Sequence, residues 1–402
     1  MDSVETRTDQ GPMELGNQLS SMSLHADGRE SVSATPRIPQ DLWPNIVSQL
    51  AFESLENVMF TCRYLRTLAQ PLFFRTLAAR HVEVGQRWRS PPPHVYGRAA
   101  DDEKWILDKL QFYSSDSVSR HVQSCRIAPR QHLEESSLGL YEDDGRKIVD
   151  EIFSLMPTFF NLTSIYLEWV RFTHENLVQL ARVSSLERAV FISCELIGGY
   201  SPVYLSIKCV LVNAFHPIHY QPLISRVINP DIIESLCVLR NVALTTVANP
   251  KPYRHLQALC IDVTYSDLSA FVTFLEEVPN LRELIFYNTR TPMANFPAIL
   301  SHAIPHLESF EGPIEWAHNF TGSRTIRHLS VWPLDLTWQD LPFRFRSHLA
   351  NNLDGFVESL TLKIRTLDDI FLYTIFERSP NLKALEIRSD KIDTKVSPLE
   401  KS

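Results

Sequence analysis

The fold is decided by the stretch Pro279–Phe286, which reads PNLRELIF, and by its counterpart Pro380–Ile387, which reads PNLKALEI. Both follow one phrase, apolar-x-x-apolar-x-apolar. The last two apolar positions are two residues apart, so in a β-strand their side chains point to the same face. The phrase therefore predicts a short strand with one buried face.

The same phrase recurs about eleven times over residues 122–390. Several consecutive copies begin 25 or 26 residues apart, as from Leu256 to Leu281 and from Leu281 to Leu307. The copies are Val122/Cys125/Ile127, Leu162/Ile165/Leu167, Leu186/Ala189/Phe191, Ile207/Val210/Val212, Ile233/Leu236/Val238, Leu256/Leu259/Ile261, Leu281/Leu284/Phe286, Leu307/Phe310/Gly312, Ile326/Leu329/Val331, Val357/Leu360/Leu362 and Leu382/Leu385/Ile387. A period of this length predicts a solenoid of stacked units.

Apolar residues at helical spacing separate several of these phrases, as in the stripe Leu268, Phe271, Val272 and Leu275. Alternation of strand and helix predicts an α/β fold, and crossovers between parallel strands are almost always right-handed. We therefore expect a right-handed solenoid with a parallel β-sheet on its concave face.

This pattern resembles the leucine-rich repeat in an irregular form. The unit Leu186-x-x-Ala189-x-Phe191-x-x-Cys194-x-Leu196 matches the extended consensus of that family, with a cysteine at the turn. The resemblance implies a protein-interaction surface rather than a catalytic centre.

A different pattern occupies residues 37–80. Leu42, Ile46, Val47 and Leu50 fall on one helical face, and a second helix is predicted to carry Leu55 to Ala69, with Pro71 in the first turn of a third. Three short helices cannot bury a core that is stable alone. We expect this module to leave apolar surface for a partner or for the adjoining domain.

These helices resemble an F-box, whose opening Leu-Pro-x-Glu motif is matched by Ile38-Pro39-Gln40-Asp41. The resemblance implies docking on the Skp-type adaptor of a cullin-RING ubiquitin ligase. The implied adaptor contacts are Pro39, Leu42, Ile46, Leu50, Val58, Cys62 and Leu65. An ordinary helical cap on the repeats is the alternative interpretation.

The remaining segments are predicted to be connections and tails. Residues 1–36 contain no aromatic residue and are predicted to be disordered, and 391–402 form a C-terminal tail. Residues 81–121 are predicted as a linker with a helix near Glu103–Leu110, and Gln131–Arg146 as an exposed loop.

Composition argues against several classes of function. The formal net charge is -8 and the isoelectric point about 6.0, which disfavours nucleic-acid binding. Only 12 glycines are present and no phosphate-binding glycine motif occurs, so we expect no nucleotide cofactor. The spacing of His216 and His219 could suit a metal, but no neighbouring cysteine or acidic cluster completes a site, so no metal and no catalytic residue are predicted.

The cellular location is predicted from the cysteine pattern and from the lack of membrane-spanning and signal-peptide patterns in the sequence. Six cysteines without a CxxC motif predict free thiols in a reducing compartment. No apolar run reaches the roughly 18 residues that cross a bilayer, and no signal-peptide pattern is seen. We expect an intracellular protein, cytoplasmic or nuclear, without a membrane partner.

Binding residues are predicted on the sheet face, between the buried positions of each phrase. The candidates for contact with a protein substrate are Tyr166, Glu168, Glu283, Tyr287 and Trp332. Tyrosine and tryptophan are favoured at interfaces because they contribute a large contact area at low entropic cost. The alternative is that the aromatic side chains only pack against neighbouring units.

The order of the two modules, an F-box followed by leucine-rich repeats, resembles F-box substrate receptors, and the irregular repeats resemble those of mushroom-forming fungi. The resemblance implies a non-catalytic receptor that docks on the ligase through the F-box and binds an unidentified protein substrate through the repeats. A leucine-rich-repeat scaffold with no role in ubiquitination is the second hypothesis.

Overall fold

The structure is a computed structural model of the 402-residue chain. It describes residues 38–80, 94–95, 101–128, 144–197, 201–213, 227–239, 251–262, 268–287, 303–321, 326–332, 356–363 and 369–388. The predicted tails 1–36 and 391–402, nearly all of the predicted loop 131–146, and the pair His216 and His219 lie outside these ranges.

One parallel sheet dominates the fold. In the described part of the chain it has 13 strands, ordered β15-β14-β13-β12-β11-β10-β9-β8-β6-β4-β3-β1-β2. A separate two-stranded sheet pairs β5 with β7. The strands are β1 Thr76–Arg80, β2 His94–Val95, β3 Ser124–Ala128, β4 Ser164–Glu168, β5 Arg171–Thr173, β6 Arg188–Ile192, β7 Glu195–Ile197, β8 Cys209–Asn213, β9 Ser235–Leu239, β10 Ala258–Ile261, β11 Glu283–Phe286, β12 Ser309–Pro313, β13 His328–Trp332, β14 Ser359–Lys363 and β15 Ala384–Arg388.

Helices lie at the N-terminus and between strands. A 3₁₀ turn over Gln40–Leu42 leads into the first of them. The described helices are α1 Trp43–Ser48, α2 Phe52–Thr61, α3 Arg63–Phe73, α4 Asp101–Ser114, α5 Asp116–Ser119, α6 Asp144–Leu155, α7 His174–Ala181, α8 Leu268–Glu276, α9 Ile314–Thr321 and α10 Asp369–Arg378.

All eleven predicted phrases form neighbouring strands in the predicted register. Leu284 of β11, for example, pairs with Leu259 on one side and Phe310 on the other, and all three are buried. The apolar positions of the first ten phrases are buried throughout. The prediction of an α/β fold built on a long parallel sheet, like that of a leucine-rich-repeat solenoid, is confirmed.

The last strand differs from the others because no further described strand covers it. Leu385 on β15 and Leu382 just before it are only partly buried, and Ile387 is exposed. Terminal units of a repeat array have a neighbour on one side only, so their apolar positions lose half of their cover.

The sheet begins earlier than the sequence predicts. Leu77, which falls within the predicted helical module 37–80, lies in β1 and pairs with Cys125 of β3. The residues Phe74, Leu77 and Ala79 follow the same phrase as the later strands. Some 48 residues separate Leu77 from Cys125, about twice the regular period, and this interval hid the copy.

A second hydrogen-bond ladder runs along the edge where the strands begin. In each unit two consecutive N–H groups donate to one carbonyl of the preceding unit. Glu308 and Ser309 donate to the Arg282 carbonyl at 2.8 and 2.9 Å, and the pattern continues from Arg75 to Ala384. Each unit thereby satisfies the backbone groups of the next, which explains why units stack but would not persist alone.

The consensus cysteine performs a comparable role at one turn. The thiol of Cys194 is buried and donates to the Leu167 carbonyl of the preceding unit at 3.3 Å. Ser193, immediately before it, has a φ of 50°, and Trp169 has a φ of 57° in the preceding unit. The two turns thus share a left-handed residue directly after the paired strands β4 and β6.

The N-terminal helices form a small core of their own, which we call the head core. Val47, Leu55 and Ala69 are its buried members, and partly buried side chains surround them. The second and third helices differ from the prediction. Cys62 adopts an extended conformation and its sulfur accepts from the Leu65 N–H, so α3 begins at Arg63 and Pro71 lies near its end.

Two adjacent aromatic residues join this module to the sheet. Phe73 packs with the head core and stacks on Phe52 at 4.6 Å between ring centroids. Phe74 packs with the solenoid core and contacts Tyr113 of α4 edge-on at 5.7 Å. Consecutive side chains at the end of α3 therefore enter different cores.

Candidate protein-binding surfaces

The first candidate surface is an apolar ridge on the N-terminal helices, formed by Ile38, Leu42 and Ile46. Leu42 and Ile46 are four residues apart, where side chains in helical turns lie on one side. Their exposed fractions are 44% and 37%, and that of Ile38 is 45%. The Tyr64 hydroxyl donates to the Gln40 carbonyl at 3.0 Å, so α3 supports the turn that carries the ridge. We call these three residues the head ridge.

The predicted adaptor contacts divide into two groups. Pro39, Leu42, Ile46 and Cys62 are exposed. Leu50, Val58 and Leu65 are partly buried and pack against the head core. The exposed group can meet a partner directly, whereas the second group holds the helices together.

Phe60 adds to the apolar surface of this module, with an exposed fraction of 73%. It lies on α2, near the end of the helix, and was not among the predicted contacts. The predicted contacts followed the F-box resemblance, which implies Val58 and Cys62 on the second helix and does not include Phe60.

The second candidate surface is the open face of the large sheet. The phrase residues point into the core, where Phe286 meets Phe271 of α8 at 5.6 Å between ring centroids. The residues between them point the opposite way. At the central position of five adjacent strands these residues are Val190, Leu211, Cys237, Cys260 and Ile285, each paired with the next.

All five are half-buried, and we call them the apolar stripe. With strands about 4.8 Å apart, the stripe extends roughly 19 Å across the sheet. The sequence interpretation missed it because an apolar residue at the x position looks like part of the strand core. Its signal is an apolar residue between the last two phrase positions in five successive units.

A closed polar cluster borders the stripe on the N-terminal side. Tyr166 of β4 pairs with Val190, the first stripe residue. Its hydroxyl donates to Glu168 at 3.0 Å, and the Arg126 guanidinium lies over its ring at 4.1 Å and contacts Glu168 at 3.4 Å. These charges neutralise one another on the protein surface.

The C-terminal side carries a similar arrangement. The ammonium of Lys363 on β14 contacts Glu311 of β12 at 2.7 Å and lies 4.4 Å from the centre of the Trp332 ring. Arg388 and Glu386 pair on the last strand at 2.8 Å. The stripe is therefore an apolar zone between two zones of paired charge.

The five predicted substrate contacts lie on this open face but in different surroundings. Tyr166, Glu168 and Trp332 belong to the polar clusters. Glu283 and Tyr287 flank Ile285 on β11 and at its end, and both are exposed, Tyr287 by 52%. Glu283, Ile285 and Tyr287 thus offer an accessible carboxylate, an apolar side chain and an aromatic ring on one strand.

No group of three or more His, Cys, Asp or Glu side chains in the described part of the chain is placed to hold a metal ion. None of the described helices combines the length and the apolar character needed to cross a membrane.

Comparison with known proteins adds little to this geometry. No protein-family model matches the chain, and no curated protein is similar to it. Among solved structures, the chain is similar to an internalin from Listeria monocytogenes, with 11% sequence identity, a TM-score of 0.29, and coverage of 88% of this chain and 90% of that one. A TM-score this low does not establish a shared fold, so the assignment depends on the strands of the chain itself.

Proposed function

We propose that this chain is a non-catalytic adaptor that holds two proteins at once, one on the N-terminal helices and one on the open face of the sheet. The first partner would be the Skp-type adaptor of a cullin-RING ubiquitin ligase, as the F-box resemblance implies. The second would be the protein to be ubiquitinated. Holding both raises the concentration of the substrate near the ligase without any chemistry on this chain.

The observation that carries the proposal is the exposed head ridge. The module buries only three apolar side chains completely while Ile38, Leu42 and Ile46 remain in solvent. Burying a fully exposed side chain of this kind is worth about 1.5–3 kcal/mol. Since Ile38, Leu42 and Ile46 are 37–45% exposed, a partner that covered the ridge would gain roughly 0.6–1.3 kcal/mol from each, a useful part of a specific affinity.

The first test is co-purification of the full chain with a Skp-type adaptor. Substitution of Leu42→Ser together with Ile46→Ser should reduce adaptor binding more than tenfold, because a tenfold loss corresponds to about 1.4 kcal/mol and both apolar side chains are removed. Both residues lie outside the head core, so the variant should remain folded, which thermal unfolding checks.

The matched control is Tyr373→Ser with Phe376→Ser, which removes two exposed aromatic residues from α10 at the other end of the sheet. This variant should bind the adaptor as the wild type does. Binding by the Leu42 and Ile46 variant at wild-type strength, or no binding by the wild type, would reject the ligase assignment.

The second test addresses the sheet face. Substitution of Ile285→Asp places a charge in the apolar stripe without entering the core, so the chain should stay folded. We expect affinity purification with quantitative mass spectrometry to show loss of the substrate proteins at least tenfold, with adaptor recovery unchanged. Gln257→Asp is the control, since Gln257 is exposed at the edge of the sheet and outside the stripe.

A scaffold with no role in ubiquitination is the second candidate. The apolar stripe between paired charges favours protein binding whichever partner the head meets. Recovery of proteins that bind the wild type but not the Ile285→Asp variant, with no adaptor or cullin among them, would support the scaffold. If the Ile285→Asp variant retained every partner, the open face of the sheet would be excluded as the binding surface for both candidate functions.

A further inference from the structure

Two cysteines face each other at the centre of the apolar stripe. Cys237 of β9 and Cys260 of β10 are direct Cα partners in adjacent parallel strands. Both are free thiols and both are half-buried on the open face. They are the two middle members of the stripe, with Leu211 on one side and Ile285 on the other.

The spacing of the strands permits a covalent bond between them. Neighbouring strands lie about 4.8 Å apart, and disulfides join Cα atoms roughly 4.4–6.8 Å apart. The usual Cβ separation in a disulfide, about 3.5–4.5 Å, is slightly shorter than the strand spacing, so closing the bond would draw the strands together. A bond under such strain is readily reduced again.

The two thiols are not equivalent. A hydrogen bond between them lowers the pKa of Cys237 and, together with burial and the nearby carboxylates of Glu311 and Glu283, raises the pKa of Cys260. Cys260 therefore acts as the donor, and Cys237 is the better nucleophile because the thiolate is the reactive form.

We propose that Cys237 and Cys260 form a thiol modification site at which a two-electron oxidant of the hydrogen peroxide class closes a disulfide between β9 and β10. The Cys237 thiolate attacks one peroxide oxygen, the O–O bond breaks, and sulfenic acid and hydroxide form; the hydroxide takes up the proton that the Cys237 thiol released and becomes the first water. The Cys260 sulfur then attacks the Cys237 sulfur, the S–O bond breaks, and water leaves with the Cys260 proton. Two thiols are oxidised and one peroxide is reduced to two waters.

The other described cysteines lack this arrangement. Cys125 and Cys194 are buried, and burial raises the pKa of each thiol to about 12. Cys209 lies on the same open face, but its partner on β9 is Ser235 rather than a cysteine. Cys62 is exposed on the head, outside the sheet.

The test is peptide mapping of the full chain, in a Cys62→Ser background, after treatment with hydrogen peroxide and without reduction. Trypsin cleavage after Arg226, Arg240 and Arg254 places Cys209, Cys237 and Cys260 in three different peptides. We expect a loss of two hydrogens from the intact mass, a linked peptide pair carrying Cys237 and Cys260, and full reversal by dithiothreitol.

Two variants distinguish this site from general thiol oxidation. Cys209→Ser, the matched control from the same face, should give the same linked pair. Cys260→Ser should give none, and Cys237 should then stop at sulfenic acid, which dimedone captures. The proposal would be overturned if Cys237 and Cys260 stayed unlinked at a peroxide concentration that oxidises Cys209. It would also be overturned if either cysteine became linked to Cys209 or to a second molecule. The wild-type result stands even where a variant folds poorly.

Discussion

Leu284→Asp is expected to destabilise the chain by more than about 5 kcal/mol. Leu284 is fully buried on β11, between Leu259 and Phe310. Removing the leucine side chain costs about 2–5 kcal/mol, and a buried carboxylate without a partner adds to that cost. Since folded domains are stable by only about 5–15 kcal/mol, the middle of the sheet should lose its cooperative structure.

The measurement is thermal and denaturant unfolding of the variant and of the neighbouring Glu283→Asp. Both introduce aspartate on β11, but Glu283 is exposed, so its variant should remain within about 0.5 kcal/mol of the wild type. At roughly 2–4 °C per kcal/mol, the Leu284 variant should melt at least about 10 °C lower. Equal melting of the two variants would show that Leu284 does not face the core.

The contrast between these neighbours also explains why the strands could be predicted from the sequence. A one-residue shift of any strand would move its apolar residues from the core to the open face, so burial fixes the register. Eleven copies of one phrase repeat this constraint. Short spacings between successive copies, 25 and 26 residues from Leu256 to Leu307, then favour stacking of the units in chain order.

The N-terminal helices carry weaker signals, and their details were predicted less well. Between α2 and α3 only Cys62 is extended, and cysteine is not a typical residue for starting a helix. Pro71, by contrast, looks like a first-turn residue but lies late in α3. That α1, α2 and α3 would be short and leave apolar surface exposed could be predicted, because so few residues cannot enclose a larger core.

The side chains on the open face of the sheet were only partly predictable. Polar and aromatic residues such as Glu283 and Tyr287 stand out against the apolar phrase. Ile285 does not, although it faces the same side, because its chemistry matches that of Leu284 and Phe286. Contact among Leu211, Cys237, Cys260 and Ile285 depends on strand pairing, which no single copy of the phrase reveals.

Gly312→Ala is expected to destabilise the chain by about 1–3 kcal/mol, although glycine within a strand normally lowers stability relative to alanine. Replacing glycine by alanine usually stabilises by about 0.4–1 kcal/mol where the backbone permits it. Here a Cβ atom would lie 2.8 Å from Cδ2 of Phe286 and 2.9 Å from Cζ of Phe310. Phe286 and Phe310 are fully buried, so the rings cannot move without disturbing the core.

These rings explain why a glycine occupies a phrase position that is otherwise apolar. Phe310 packs on Phe320 of α9 at 4.9 Å between ring centroids, and Phe286 packs on Trp316 at 5.1 Å. The aromatic cluster fills the volume that a valine or leucine side chain occupies in the neighbouring units. In the unit that begins at Leu307, the space at the glycine position is therefore filled by the rings of Phe286 and Phe310 rather than by a side chain at position 312.

A double-mutant cycle in denaturant unfolding measures the energetic coupling between position 312 and the Phe310 ring. Phe310→Leu removes the Cζ atom that would lie 2.9 Å from the new Cβ, so Gly312→Ala should cost at least about 0.5 kcal/mol less in the Phe310→Leu background than in the wild type. Ser330→Ala, on the open face of the adjacent strand β13, is the control and should couple to neither. Stabilisation by Gly312→Ala alone would show that the rings leave the space open and that the glycine has another cause.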